Sequence, residues 1–166
     1  MKVLGIDPGL ASCGWALIES VPEYKLVSCG EIKTSIVKSY SSESLTLPER
    51  LKIIYNELER IILIYQPDIV CVETQFYSKI ARNMVNTYLS VGVIYLLCGM
   101  LNLKIEEISA KSVKLGVTGY GNATKRQIKK MIKVLLNNEK EINNEHINDA
   151  IAVALCFLNT KRFCVK

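Results

Sequence analysis

The chain opens on a short apolar run, Val3-Leu4-Gly5-Ile6, that stops at Asp7. Such a run predicts a buried strand with a polar tip. Two further strands are predicted over Trp15–Ile18 and Lys25–Lys33, parted by the turn-forming Val21-Pro22-Glu23. Three strands on short links read as an antiparallel meander. The period then changes. From Pro48 onward Leu51, Ile54, Tyr55, Leu58, Ile61, Ile62 and Tyr65 recur at helical spacing, with Pro48 suited to the first turn and Gln66-Pro67-Asp68 as the stop.

A second apolar run, Ile69-Val70-Cys71-Val72, again ends in an acid, Glu73. The helical pattern over Ile80–Leu101 is apolar on two flanks, Met84, Tyr88, Val91 and Tyr95 on one, Val85, Leu89, Gly92 and Leu96 on the other. One flank is expected on the core and the other on a partner subunit. Leu103–Ile108 predicts a strand, after which Ser109 caps a short helix ending at Gly116. Thr124-x-x-Gln127 is a capping-box pattern, opening a helix with Ile128, Met131, Ile132 and Leu135 inward. The last helix is expected from Asn143 or Asn144 to Leu158, with Ile147, Ile151, Ala154, Leu155 and Leu158 inward. The serine-rich stretch Thr34–Leu47 reads as a surface loop. Strands followed by alternating helices and strands predict one α/β domain with a mixed sheet, spanning 1–166.

Composition narrows the class. With 49% hydrophobic and 22% charged residues in 166, the chain is neither disordered nor a coiled coil. Six cysteines stand at irregular spacing without a CxxC pair, mostly inside apolar runs, as reduced core thiols do; this points to the cytoplasm. The first apolar run is too short for a signal peptide, and Val91–Leu101 falls short of the ~20 residues a membrane span needs. The net charge of +5 is concentrated in one segment. Lys111, Lys114, Lys125, Arg126, Lys129, Lys130 and Lys133 lie between Ile108 and Asn138 without a single acid, so the rest of the chain is slightly acidic. An ordinary solvated stretch of that length would carry roughly three acids here. Because Lys125, Lys129 and Lys133 follow at i, i+4 and i+8, and Arg126 and Lys130 at i and i+4, the segment predicts a phosphate-binding surface.

Chemistry is carried by four residues. Asp7 and Glu73 each end a strand; if those strands are parallel neighbours, both carboxylates emerge at one sheet edge. His146 and Asp149, at i and i+3, share a helix face. Two carboxylates ~4 Å apart repel by about 4 kcal/mol at an effective dielectric near 20, so such a cluster persists with cations between its members. Acids with one imidazole favour Mg²⁺ or Mn²⁺ over zinc. Taken singly, each residue is more simply a solvated turn or cap residue. Together with Gly5-Ile6-Asp7-Pro8-Gly9, whose glycines and proline fix the backbone beside the acid, a metal site is the better reading.

A series of motifs runs nearly the length of the chain: Gly5-Ile6-Asp7-Pro8-Gly9 with Gly14-Trp15-Ala16, Val72-Glu73 with Phe76, Ala110-x-x-Val113-Lys114, Gly119-x-Gly121-x-Ala123-x-Lys125, and His146-x-x-Asp149-Ala150. In order and spacing this series resembles the RuvC family of Holliday-junction resolvases. The first motif alone also opens actin-like ATPases, but that fold needs a second domain for which 166 residues leave no room. The resemblance implies an RNase H-like fold, a mixed five-stranded sheet with helices on both faces. It implies a crossover junction endodeoxyribonuclease, acting in recombination and repair by paired symmetric nicks. Asp7, Glu73, His146 and Asp149 match the family's four metal-site positions, with His146 either a ligand or positioning the attacking water. Two Mg²⁺ ions per site are implied, with Mn²⁺ as substitute; one lowers the pKa of a bound water and the other, ~3.5–4 Å away, stabilises the leaving 3′ oxygen. Lys114 and Lys125 match basic positions near the scissile phosphate, and Phe76 an aromatic that stacks at the junction centre. The implied partners are four-way junction DNA, a second copy of the chain and a branch-migration motor complex. Two other readings remain: a nuclease of the same fold acting on RNA·DNA hybrids or ribosomal RNA precursors, and a junction-binding protein without activity.

Overall fold

The computed structural model describes residues 1–20, 22–34, 45–74, 82–137 and 142–163, with backbone alone for 82–84 and 162–163. Val21, most of the serine-rich stretch, Phe76, Tyr77, Ile80 and Cys164 lie outside the described residues.

The predicted meander is present as β1 (Lys2–Asp7), β2 (Ser12–Ser20) and β3 (Tyr24–Lys33), with both pairings antiparallel. β2 is longer than its apolar stretch suggested, because its ladder to β1 and β3 continues through the polar Ser12, Glu19 and Ser20. β4 (Ile69–Thr74) pairs parallel to β1 and β5 (Ile105–Ser109) parallel to β4, giving the order β3-β2-β1-β4-β5. The mixed five-stranded sheet carries helices on both faces. On one face Leu4, Ile6, Leu17, Val70 and Val72 pack with Ile54 and Leu58 of α1 (Leu47–Tyr65) and Ile94 and Leu97 of α2 (Arg82–Met100). On the other, Val3, Ala16, Ile18 and Cys71 pack with α3 (Ala110–Thr118), α4 (Lys125–Leu135) and α5 (Glu145–Phe163). Side chains that alternate along a strand must serve two layers, so every central strand is apolar on both sides.

Local signals explain most helix ends. Thr46 and Glu49 form a capping box before α1, one the sequence reading passed over, and Thr124 with Gln127 forms the expected one before α4. α3 continues to Thr118 instead of stopping at Gly116. A side chain at Gly116 would overlap Cys156 of α5, so that glycine serves close packing, while Gly119, at φ 74°, is the left-handed cap.

Two faces differ from expectation. The core stripe of α2 is Ser90, Ile94, Leu97 and Cys98, which leaves members of both predicted flanks, Val85, Tyr88, Leu89, Tyr95 and Leu96, exposed together. α5 is buried all round from Ala150 to Leu158, because α3 and α4 cover the side turned away from the sheet. At ~1.5–3 kcal/mol for each large apolar side chain, burial of Ile151, Leu155 and Leu158 anchors the body of the helix on the sheet. Cys13, Cys71, Cys98 and Cys156 are buried and free, and burial pushes the Cys13 thiol up to about 12. Among the described residues no helix is long and apolar enough to cross a membrane.

Candidate active site

β1 and β4 pair in register from Val3 with Ile69 to Ile6 with Val72, so one further step sets Asp7 beside Glu73. Ile6 and Val72 face α1 and α2, and alternation turns Asp7 and Glu73 to the opposite face, the one α5 covers. The helix starts directly on the strands. Side chains at Gly5 and Gly14 would overlap the carbonyl oxygens of Ala150 and His146, so these two glycines let its first turns rest on β1 and β2. Asp7 and Gly14 are paired across the sheet, which brings His146 over the end of β1.

There His146 Nδ1 and Asp7 Oδ2 are 2.8 Å apart. An ionised carboxylate only accepts, so Nδ1 donates, and in the neutral ring Nε2 keeps its lone pair. The imidazole is half exposed, within reach of a substrate, whereas the Asp7 carboxylate is largely covered. Asp149, three residues on, accepts from the Lys125 ammonium at 3.5 Å, and the same ammonium donates to Glu145 at 2.8 Å.

Electrostatics tie these groups together. Burial holds Asp7 above the ordinary carboxylate range, with Asp149's charge adding and the His146 hydrogen bond opposing. Glu73 is pushed up to about 7, by burial first and then by the charges of Asp7 and Asp149, against the pull of Lys125 and Lys114. Among the described residues no three acidic, imidazole or thiol side chains meet closely enough to ligate an ion as they stand; the cation nearest Asp149 is the Lys125 ammonium. A hard divalent cation fits the donor set. Oxygen donors dominate, the two strand-end carboxylates are disfavoured as paired anions, and added positive charge relieves that cost.

The four residues singled out from the sequence are therefore brought to one end of the sheet. Lys114 is half exposed on α3, close enough for its charge to act on Glu73. Lys111, Arg126 and Lys130 are exposed and Lys129 is half exposed. Lys125 has two expected settings, the basic surface and the neighbourhood of the site carboxylates. Its sequence neighbourhood has no acid, but the fold sets α5's Glu145 and Asp149 against it, so it belongs to the carboxylate cluster before it belongs to an open basic surface. Phe76 lies outside the described residues. Sequence reading missed Glu145, and named Asn144 only as a possible start of the last helix. Asn144 Oδ1 accepts from the Ile147 amide at 3.1 Å, the helix cap whose signature is an Asn three residues ahead of the first inward residue.

The sequence profile described as crossover junction endodeoxyribonuclease RuvC matches residues 3–157. The chain belongs to the RuvC family. A RuvC from Caldicellulosiruptor saccharolyticus is 42% identical over 160 residues, covering 95% of this chain and 92% of its own. The RuvC of Alkaliphilus oremlandii is 39% identical over 164 residues, 98% of this chain and 96% of its own. The solved structure of T. thermophilus RuvC in complex with Holliday junction substrate superposes with a TM-score of 0.87 at 22% identity, covering 99% of this chain and 96% of that one. That likeness establishes the RNase H-like RuvC fold for the present chain.

Proposed function

We propose that this RuvC-family protein cuts four-way DNA junctions by paired, symmetric phosphodiester hydrolysis, working in the cytoplasm on intermediates of recombination and repair. The carrying observation is the meeting of Asp7 and Glu73, on adjacent parallel strands, with His146 and Asp149 on the helix seated over them. Asp7, Glu73 and Asp149 would hold two Mg²⁺ ions, for which Mn²⁺ can substitute, with His146 Nε2 as ligand or proton acceptor. Bound there, divalent cations supply the Lewis acidity that makes water nucleophilic at neutral pH and stabilises charge on a leaving 3′ oxygen. The remaining work falls to side chains. Asp7 fixes the His146 ring through Nδ1, so that Nε2 faces outward and can take a proton from an attacking water. Lys114 and Lys125 place positive charge where a phosphate oxygen would sit, Lys125 exchanging a carboxylate for the phosphate. Phe76, three residues beyond Glu73, is proposed to stack on a base at the branch point.

A synthetic mobile junction incubated with Mg²⁺ is expected to yield paired nicks that ligase reseals. Preferential cutting of RNA·DNA hybrids would favour the other nuclease reading, and binding without nicks the inactive one.

Lys111, Arg126, Lys129 and Lys130, with Lys114, are proposed to neutralise phosphates on the duplex arms. The logarithm of the binding constant should therefore fall against the logarithm of salt with a slope of about −0.9 per phosphate contacted. A constant that stays flat from low to moderate salt contradicts this surface.

Symmetric cuts call for two active sites about a dyad. The exposed apolar face of α2, where Leu96 is 59% and Met100 61% accessible, is proposed as the homodimer contact. Leu96→Glu is expected to shift the protein from dimer to monomer in sedimentation and to replace paired nicks by single ones; an unchanged sedimentation coefficient contradicts it.

A further inference from the structure

A third carboxylate belongs to the same row of the sheet as Asp7 and Glu73. Glu31 of β3 is paired with Gly14, which is paired in turn with Asp7, so the row reads Glu31, Gly14, Asp7 and, by continuation of the register, Glu73. All four positions face α5, and the glycine leaves the gap in which the backbone of His146 rests. Glu31 nonetheless differs in kind from Asp7 and Glu73. Its Oε1 accepts from the Ser12 hydroxyl, and its Oε2 accepts from Asn144 Nδ2 at 2.7 Å and lies 3.2 Å from the Lys33 ammonium. These donors hold Glu31 below the ordinary carboxylate range, whereas its row neighbours Asp7 and Glu73 stand above it. Satisfied on both oxygens, Glu31 is not a spare metal ligand.

What it holds is the cap of the helix. With the Asn144 amide nitrogen bonded to Glu31, the amide oxygen is turned to the Ile147 N–H, and Ile147 lies between His146 and Asp149. We propose that Glu31 is a positioning residue for the proposed cleavage. Through Asn144 it fixes the first turn of α5, and with it the placement of His146 and Asp149 relative to Asp7. The buried run from Ala150 onward fixes the body of the helix, but the turn that carries both site residues precedes it and depends on this cap. An unfixed cap lets the amide rotate and the first turn fray, and small misplacements of reacting groups cost rate far more than affinity.

The inference rests on the reading of the site as a nuclease centre, and the experiment separates the two. Glu31→Ala is expected to lower single-turnover cleavage of a synthetic four-way junction in Mg²⁺ by roughly ten- to a hundredfold, with junction affinity unchanged. The Ile147 amide should exchange its hydrogen faster while amides of Ala150–Leu158 keep their protection. Asn144→Asp keeps the cap acceptor but sets a carboxylate against Glu31, and should slow cleavage similarly. Adding Glu31→Gln to Asn144→Asp restores a donor facing an acceptor, and the double variant should cut close to the parental rate, a rescue that general destabilisation does not produce. If wild type makes no nicks, the nuclease reading fails, while the Ile147 exchange still reports on the cap. If wild type cuts and Glu31→Ala cuts as fast, or the double variant stays as slow as Asn144→Asp, the positioning role is overturned.

Discussion

Asp7→Asn is expected to slow junction cleavage by at least about a thousandfold while leaving junction affinity within about twofold. Asn keeps the size of the side chain and an oxygen that still accepts from His146 Nδ1, so the seat of α5 on β1 and β2 survives. What disappears is the charge. Asp7 stands between Glu73 on the neighbouring strand and His146 on the helix. Junction affinity is proposed to draw on the lysines and arginine of α3 and α4, none of which is hydrogen-bonded to Asp7. Quantitative nicking assays beside gel-shift titrations check both halves. A variant that cuts at the parental rate would remove Asp7 from the chemistry.

The second large effect has opposite signs in activity and stability. Glu73→Gln is expected to reduce cleavage by roughly a hundred- to a thousandfold and, at pH 8 with chelator present, to raise the melting temperature by about 3–10 °C. Glu73 titrates near 7 in the fold against 4.5 for the free group, because burial and the charges of Asp7 and Asp149 penalise its ionised form. The folded chain therefore binds this proton more tightly than the unfolded chain. Above about pH 7 both states have lost it and the full penalty, about 3 kcal/mol, falls on the fold. As pH drops from 7 towards 4.5 the folded state takes up the proton first, and the penalty fades. Gln carries no charge to penalise. The stability gap between variant and wild type should thus be widest at pH 8 and close towards pH 4.5, as scanning calorimetry at several pH values would record. A variant less stable than wild type at pH 8 would mean that Glu73 sits in a favourable anion site. A stabilising change that abolishes function is what an electrostatically strained reaction centre produces.

Much of this was legible in the residues themselves. Apolar runs ended by Asp7 and Glu73, the i, i+3 pair His146 and Asp149, and the capping box at Thr124 are local patterns, and the fold uses each as the pattern suggests. The parallel pairing of β1 with β4 had to be assumed. It depends on a helical crossover through α1, and no local signal encodes which strand a distant strand will join. The carboxylate partners of Lys125 were not legible for the same reason, since they come from twenty or more positions along the chain. The core face of α2 was misread because that helix is apolar nearly all round, so periodicity does not choose a side; the sheet does. Glu31 was invisible as a site neighbour because a lone acid in a strand carries no sign of the helix that will be laid over it. The alternation of Cys29 and Glu31 towards the α5 face would have marked it as an inward acid once the register was known.

The carboxylates at the ends of β1 and β4 are expected to share cations with the start of α5. Anomalous diffraction from crystals of the Asp7-intact protein soaked in Mn²⁺ measures this directly. Two anomalous peaks are predicted, bounded by Asp7, Glu73 and Asp149, with Lys125 displaced from Asp149. Ordered Mn²⁺ found only elsewhere on the surface, with the Lys125–Asp149 pair intact, would contradict it.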